Sequence, residues 1–216
     1  MITINDFFSK FIYINLKARK DRNDKMIATL SSKNMVAQRV EAIDGRNYEK
    51  VKGKKQQKFV VNEHGLKDVF QAYAQTLIGQ FQSAIDEGLD SVLIAQDDIE
   101  FLEGFEESFN DAVMIKERLV MVDDIDKPIS NIDPITGETI DGAIRYEQKE
   151  VIEEYRDLPE DWDVFCLGCQ CREFHSPQIS GNVHRAYTAT LDHLWGFRHT
   201  MFQPMIDELS KMERAS

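Results

Sequence analysis

Gln96, Asp97, Asp98, Ile99 and Glu100 follow directly on the apolar run Leu93-Ile94-Ala95. Adjacent carboxylates repel, so Asp97 and Asp98 stand side by side only if water screens them or a cation neutralises them. A divalent ion is one such cation. Mg²⁺ or Mn²⁺ takes hard oxygen ligands, usually one or two carboxylates completed by substrate phosphates. Asp98 joined by Asp97 or Glu100 would be enough. In an extended chain Asp98 and Glu100 share one side and Asp97 turns away. If the strand has already broken into a turn, Asp97 and Asp98 form the pair instead. A solvated strand end is the alternative reading. A second cluster, Cys166, Cys169, Cys171 and His175, offers four soft ligands within ten residues, a set that Zn²⁺ accepts. Ordinary buried or loop cysteines are the competing reading.

The elements that must position these residues are legible from periodicity. Phe11 to Leu16 is an apolar run bounded by charge, as expected of a strand buried on both faces. Met26, Ile27 and Leu30 then recur at helical spacing. A second short strand ends at the turn signal Asp44-Gly45, completing a β-α-β opening. Lys50 to Lys58 is polar and lysine-rich and reads as a loop. Val69, Phe70, Tyr73, Leu77, Phe81 and Ile85 mark the inner face of a helix stopped by Gly88. The strand 91–96 follows at once and delivers the acids at its carboxyl end. Glu103 to Lys116 reads as a helix that packs Phe105, Phe109 and Val113 inward. Residues 123–154, with two prolines and the turn signals Thr136-Gly137 and Asp141-Gly142, read as an irregular hairpin-like insertion. Strands at 161–168 and His193 to Phe197 and an amphipathic helix from near Thr200 complete the chain. The alternation predicts an α/β fold: a single domain over residues 1–216, with a mostly parallel sheet and helices on both faces. Ligands bind such sheets beyond the carboxyl ends of the strands.

Composition sets outer limits. The 216 residues are 42% hydrophobic and 10% aromatic, and the net charge is −12. That charge argues against a non-specific nucleic-acid binder. It hides an asymmetry: residues 1–67 hold 15 Lys/Arg against 7 Asp/Glu, a net +8, and residues 68–216 carry −20. Such a division suits an anionic small molecule meeting a cation held by carboxylates. The first residues lack the basic, apolar and small-residue parts of a secretory signal, and no apolar run approaches the roughly 18 residues of a membrane span. Three crowded cysteines fit a reducing compartment, and the expected location is cytoplasmic.

Three ordered motifs resemble glycosyltransferase family 25, whose members include bacterial lipooligosaccharide galactosyltransferases and relatives of the collagen galactosyltransferases. The first joins "YINLKARKDR" to "RVEAIDGR"; the second is "AIDEGLDSVLIAQDDIEF"; the third is "DWDVFCLG". The resemblance spans residues 11 to about 200. It implies a GT-A fold that transfers a hexose such as galactose from a UDP-sugar donor to a hydroxyl of a glycan or other acceptor, with Mn²⁺ or Mg²⁺ bridging the diphosphate to Asp97, Asp98 or Glu100. It places Asn15, Leu16, Ala42, Asp44 and Gly45 around the uridine and ribose, and Arg19 and Arg22 near the diphosphate. An inverting transfer needs a base for the acceptor proton. Asp163, Asp192 and His193 are eligible, and residues 123–154 are the candidate acceptor side. The chain departs from the family pattern at Gln96, where a Glu is usual, and at Thr76-Leu77, where a Ser-His pair is usual. Those departures sustain an alternative reading: a catalytically inactive member that binds nucleotide sugar, glycan or a protein partner.

Overall fold

Apolar runs too short for helices and bounded by charge become the central strands of the computed structural model. It describes residues 1–45, 66–129, 145–171, 178–181, 183–184 and 189–214. The lysine-rich Lys50 to Lys58 and the turn-rich residues 130–144 lie outside these. After a short helix α1 (Ile4–Phe7), capped by Thr3 and Asp6 on each other's backbone, the chain enters β1 (Lys10–Leu16). The expected β-α-β unit follows as α2 (Lys20–Ser32) and β2 (Gln38–Ala42). Next come α3 (Leu66–Asp86), β3 (Ser91–Gln96) and α4 (Phe105–Val113). A long hairpin is formed by β4 (Lys116–Ile129) and β5 (Arg145–Tyr155). The chain closes with β6 (Val164–Cys171), the small β7 (Gln178–Ser180) and β8 (Val183–His184), β9 (Ala189–Arg198) and α5 (His199–Arg214).

Five strands form one sheet in the order β2-β1-β3-β9-β6. β1 pairs in parallel with β2 and β3, whereas β9 runs antiparallel to both β3 and β6. The sheet is therefore mixed and not mostly parallel as expected, because one reversed strand, β9, is inserted among four that point the same way. Alternation of side chains divides the core in two. Phe11, Tyr13, Leu93, Ala95 and Leu194 pack with Met26 and Leu30 of α2 and with Phe109, Ala112 and Val113 of α4. On the opposite face Ile12, Ile14, Val92, Ile94 and Phe197 pack with Leu77, Phe81 and Ala84 of α3 and Phe202 of α5. Helices thus cover both faces, as expected. Phe81 and Leu93 are fully enclosed, each side chain contributing about 1.5–3 kcal/mol of burial free energy. Gly196 is needed on β9, because a Cβ there would overlap the ring of Phe8.

Helix α3 ends as its sequence predicts. Gly88 takes φ +65°, its N–H bonds the Ile85 carbonyl and the Leu89 N–H bonds that of Ala84, a glycine-dependent C-cap. Other boundaries shift. The helix expected over Glu103 to Lys116 covers only Phe105–Val113, because Met114 turns extended and Lys116 is drawn into β4 by Asp111 and Asp157. Val69 and Phe70, expected on the inner face of α3, are 48% and 57% exposed, because they extend past the sheet edge over the carboxyl ends of the strands. The insertion expected at 123–154 begins earlier, and its flanks are a regular two-stranded ribbon over Lys116–Ile129 and Arg145–Tyr155 with one register shift between Asp124 and Pro128.

Candidate functional site

Parallel pairing of β1 with β3 sets Ile14 opposite Gln96, so the two strands end side by side and the residues just beyond them meet. The amide of Asn15 donates to Asp97 Oδ2 at 2.6 Å and to the Arg19 carbonyl at 3.1 Å, and its own oxygen accepts from Arg39 Nε at 2.9 Å. Asn15 is 1% exposed, and every polar atom of its side chain has a partner. This network fixes which way the amide faces, since the oxygen meets a donor and the nitrogen meets two acceptors.

β3 stops at Gln96 and a turn begins at Asp97, so strand alternation no longer separates the two aspartates. Helix α2 returns from the end of β1 across this turn. From its first turn Arg22 Nη1 reaches Asp97 Oδ1 and Asp98 Oδ2, each at 2.9 Å. One guanidinium nitrogen thus bridges both carboxylates and offsets one of their two negative charges. Asp97 is nearly buried, while the side chains of Asp98 and Arg22 are about one-third exposed. His193 Nδ1 lies 3.7 Å from Asp98 Oδ1. Glu100 turns away from the pair and binds Lys25, one turn further along α2; that hydrogen bond and the ammonium charge hold its carboxyl below the usual range. Arg19 makes a two-pronged pair with Asp21, Nε to Oδ1 at 3.0 Å and Nη2 to Oδ2 at 2.8 Å. The hydrogen bond lowers Asp21 to about 2 and raises Arg19 above its already high value.

Beside this charge cluster opens a cleft of about 390 Å³ on the α3 face of the sheet. Leu16 and Ala42 from the strand ends and Val69, Phe70 and Tyr73 from α3 give it apolar walls, while Arg19, Arg22, Asp44 and Asp97 supply charge at its rim. Leu16, Arg19, Arg22, Ala42, Asp44 and Gly45, grouped by sequence around a nucleotide, therefore converge on one cavity. Asn15 does not line it; its side chain supports Asp97 from behind. Gln96 lines it too, and Val69, Phe70 and Tyr73 of α3 were not anticipated there. The signal was available for α3, since 69, 70 and 73 together widen the apolar stripe beyond what a sheet face covers.

The three candidate bases separate. His193 joins the cluster through Asp98. Asp192 sits on β9 at the same carboxyl-end edge, with its side chain outside the described residues. Asp163 is removed from the site: Val164 is level with Val92 through Phe197, at the opposite end of the sheet, about 16 Å away at 3.3 Å per strand residue. There Asp163 Oδ1 accepts from Thr200 Oγ1 at 2.6 Å and serves the start of α5. Cys166 lies half-buried in β6, and the side chains of Cys169, Cys171 and His175 lie outside the described residues.

Metal chemistry can be tested against the donors present. Among the described residues no group of three His, Cys, Asp or Glu side chains converges. Asp97 and Asp98 are two hard oxygen donors at a cleft rim, which matches the usual Mg²⁺ or Mn²⁺ arrangement in which substrate phosphates and water complete the shell. They fit such an ion once Arg22 gives up at least one carboxylate. No helix among the described residues is long and apolar enough to cross a membrane. A scan against protein-family models finds none that matches this chain, and a search of curated proteins finds no match either.

Proposed function

We propose that the chain is a glycosyltransferase of the GT-A type, similar to family 25, that moves a hexose from a UDP-sugar to an acceptor hydroxyl. The observation that carries this reading is the mixed lining of the cleft at the ends of β1 and β3: apolar walls together with Asp44, two arginines and Asp97, with Asp98 held beside them by Arg22. Each kind of group suits one part of a nucleotide sugar. Phe70, Tyr73, Leu16 and Ala42 would enclose a planar base, and about 390 Å³ suits a small ligand, since such pockets run from roughly 300 to 1,000 Å³. Asp44 would accept from a ribose hydroxyl. Arg19 and Arg22 are planar donors suited to phosphate oxygens. The start of α2, which has no side-chain cap, opens at the same rim and favours negative charge.

Asp97 and Asp98 would hold Mn²⁺ or Mg²⁺, whose contribution is to neutralise the charge that develops on the departing diphosphate. The protein's own part is positional. Asn15 and Arg39 keep Asp97 aimed at the rim, and Arg22, released from the acids, would turn to the phosphates. His193, with Asp98 beside Nδ1, would take the proton of the acceptor hydroxyl.

One observation favours a second reading. Arg22 already bridges both acids without a metal, and Gln96 adds no third carboxylate that would strengthen the pull on an ion. A binding module for nucleotide sugar that does no transfer would look the same. Calorimetric titration with UDP, with and without Mn²⁺, on the wild type and on Asp98→Ala separates the possibilities. Metal-dependent binding lost in the variant, together with transfer to an acceptor, supports the transferase. Binding without donor hydrolysis or transfer supports the module, and no binding of UDP under any condition removes both.

A further inference from the structure

The β4–β5 hairpin has two unlike faces. Between Lys116 and Asp124 the register is regular, with Leu119 opposite Ile152, Val120 opposite Val151 and Met121 opposite Glu150. Directly opposed residues share a face, and alternate positions along each strand do as well. One face therefore carries Arg118, Val120, Val122 and Asp124 with Glu153, Val151 and Lys149. It is satisfied internally. Arg118 Nε binds Glu153 at 2.9 Å and its guanidinium lies 4.9 Å from the Tyr155 ring centroid, while Lys149 binds Asp124 at 3.0 Å.

The other face presents Leu119, Met121 and Ile152, which are 68%, 54% and 66% exposed. Around them stand Glu117, Asp123, Glu150 and Glu154, all exposed. No basic residue occupies a register position on this face, and none of the four acids pairs with a cation among the described residues. An apolar centre rimmed by polar groups is the anatomy of a protein-docking surface. The rim here is of one sign, and that restricts the occupant. A second copy would set acids against acids, and an anionic bilayer or a nucleic acid would be repelled in the same way.

We propose that this face docks a basic, amphipathic segment of a partner protein, whose apolar side chains cover Leu119, Met121 and Ile152 while its lysines or arginines meet the four acids. The site is separate from the cleft and does not depend on the reading of the cleft as a nucleotide-sugar site.

The test uses the full chain and a fluorescein-labelled peptide of alternating lysine and leucine, followed by fluorescence anisotropy. Leu119→Ser with Ile152→Ser, and separately Glu117→Gln with Glu150→Gln, should each weaken binding at least tenfold. Glu103→Gln with Glu107→Gln, which removes two exposed acids near α4, should change it less than twofold. All these positions are exposed, and circular dichroism checks that each variant is folded. Equal loss in the α4 variant would reduce the effect to net charge and overturn the proposal. So would concentration-dependent self-association of the wild type that the Leu119→Ser/Ile152→Ser variant abolishes, since the occupant would then be a second copy. Flotation with phosphatidylserine vesicles that this variant abolishes would overturn it as well, because the surface would then be a membrane contact.

Discussion

Asn15 donates to Asp97 Oδ2 at 2.6 Å across the seam between β1 and β3, and the bond joins residues 82 apart in sequence. It holds a nearly buried carboxylate in one orientation at the mouth of a cleft. Replacing Asn15 by Leu would leave that oxygen and Arg39 Nε without the Asn15 amide, while the Arg19 carbonyl keeps the Asn23 N–H. Loss of a hydrogen bond to a buried charged group costs about 2–3 kcal/mol. Urea unfolding should show a loss of that size, and metal-supported UDP binding should weaken as Asp97 loses its aim. An unchanged unfolding midpoint would show that the network is incidental to stability.

Arg22 and a divalent ion compete for the same oxygens in the proposed site. Arg22→Ala exposes an adjacent, uncompensated carboxylate pair, so Mn²⁺ should bind about tenfold more tightly without nucleotide, a difference of roughly 1.4 kcal/mol. UDP should bind less tightly, because a phosphate donor has gone. Calorimetry on the wild type, Arg22→Ala and Arg22→Lys measures both. The lysine variant should fall between the other two, since its ammonium keeps the charge and lacks the planar fork.

Phe70 separates binding from folding. It is 57% exposed and touches the cleft, so Phe70→Ala should leave stability within about 0.5 kcal/mol while weakening UDP several-fold. Thermal unfolding and titration of the same preparation provide the comparison. Loss of stability without loss of affinity would place Phe70 in the fold and remove it from the site.

Asp157 fastens the base of the hairpin. Burial pushes its carboxyl up, but hydrogen bonds from Lys116 and Ser180 and the ammonium charge outweigh burial and leave it below the ordinary carboxylate value. Lys116 is raised by its hydrogen bonds to Asp111 and Asp157. With the folded-state value of Asp157 depressed, its contribution to stability is present above about pH 4, the unfolded value, and disappears as pH falls through the folded value. The Lys116 contribution runs the other way: it is complete below pH 10.5 and is lost as pH rises through the elevated value. Asp157→Asn should cost roughly 1–3 kcal/mol at pH 7 and flatten the acid limb of a melting-temperature profile. A variant whose acid limb stays as steep as the wild type's would mean that other carboxylates set it.

Periodicity and charge placement were enough to determine the β-α-β opening, the helix ending at Gly88, the two buried faces of β1 and β3, and the acids at a strand end. Each of these depends on neighbours within a few residues, where side-chain alternation and backbone capping act. The residues at the ends of β1 and β2 are grouped by the family resemblance, and they do end together because two parallel strands joined by a helix finish side by side.

Only the tertiary structure decided which acids meet which bases. The basic first third and acidic remainder suggested an external anion and a held cation, yet much of that charge is spent internally, with α2 laid against residues 97–106 through Arg22, Lys25 and Lys33. Strand direction was equally hidden. An apolar run reads the same whichever way it enters a sheet, so nothing local shows that β9 runs backwards or that Asp163 falls at the far edge. The two faces of the hairpin depend on cross-strand register, which pairs residues about 30 apart and assigns every charge to one side or the other. Sequence pattern settles what a short segment can become; long-range pairing selects the carboxylates that share Arg22 and the acids that share the exposed face of the hairpin.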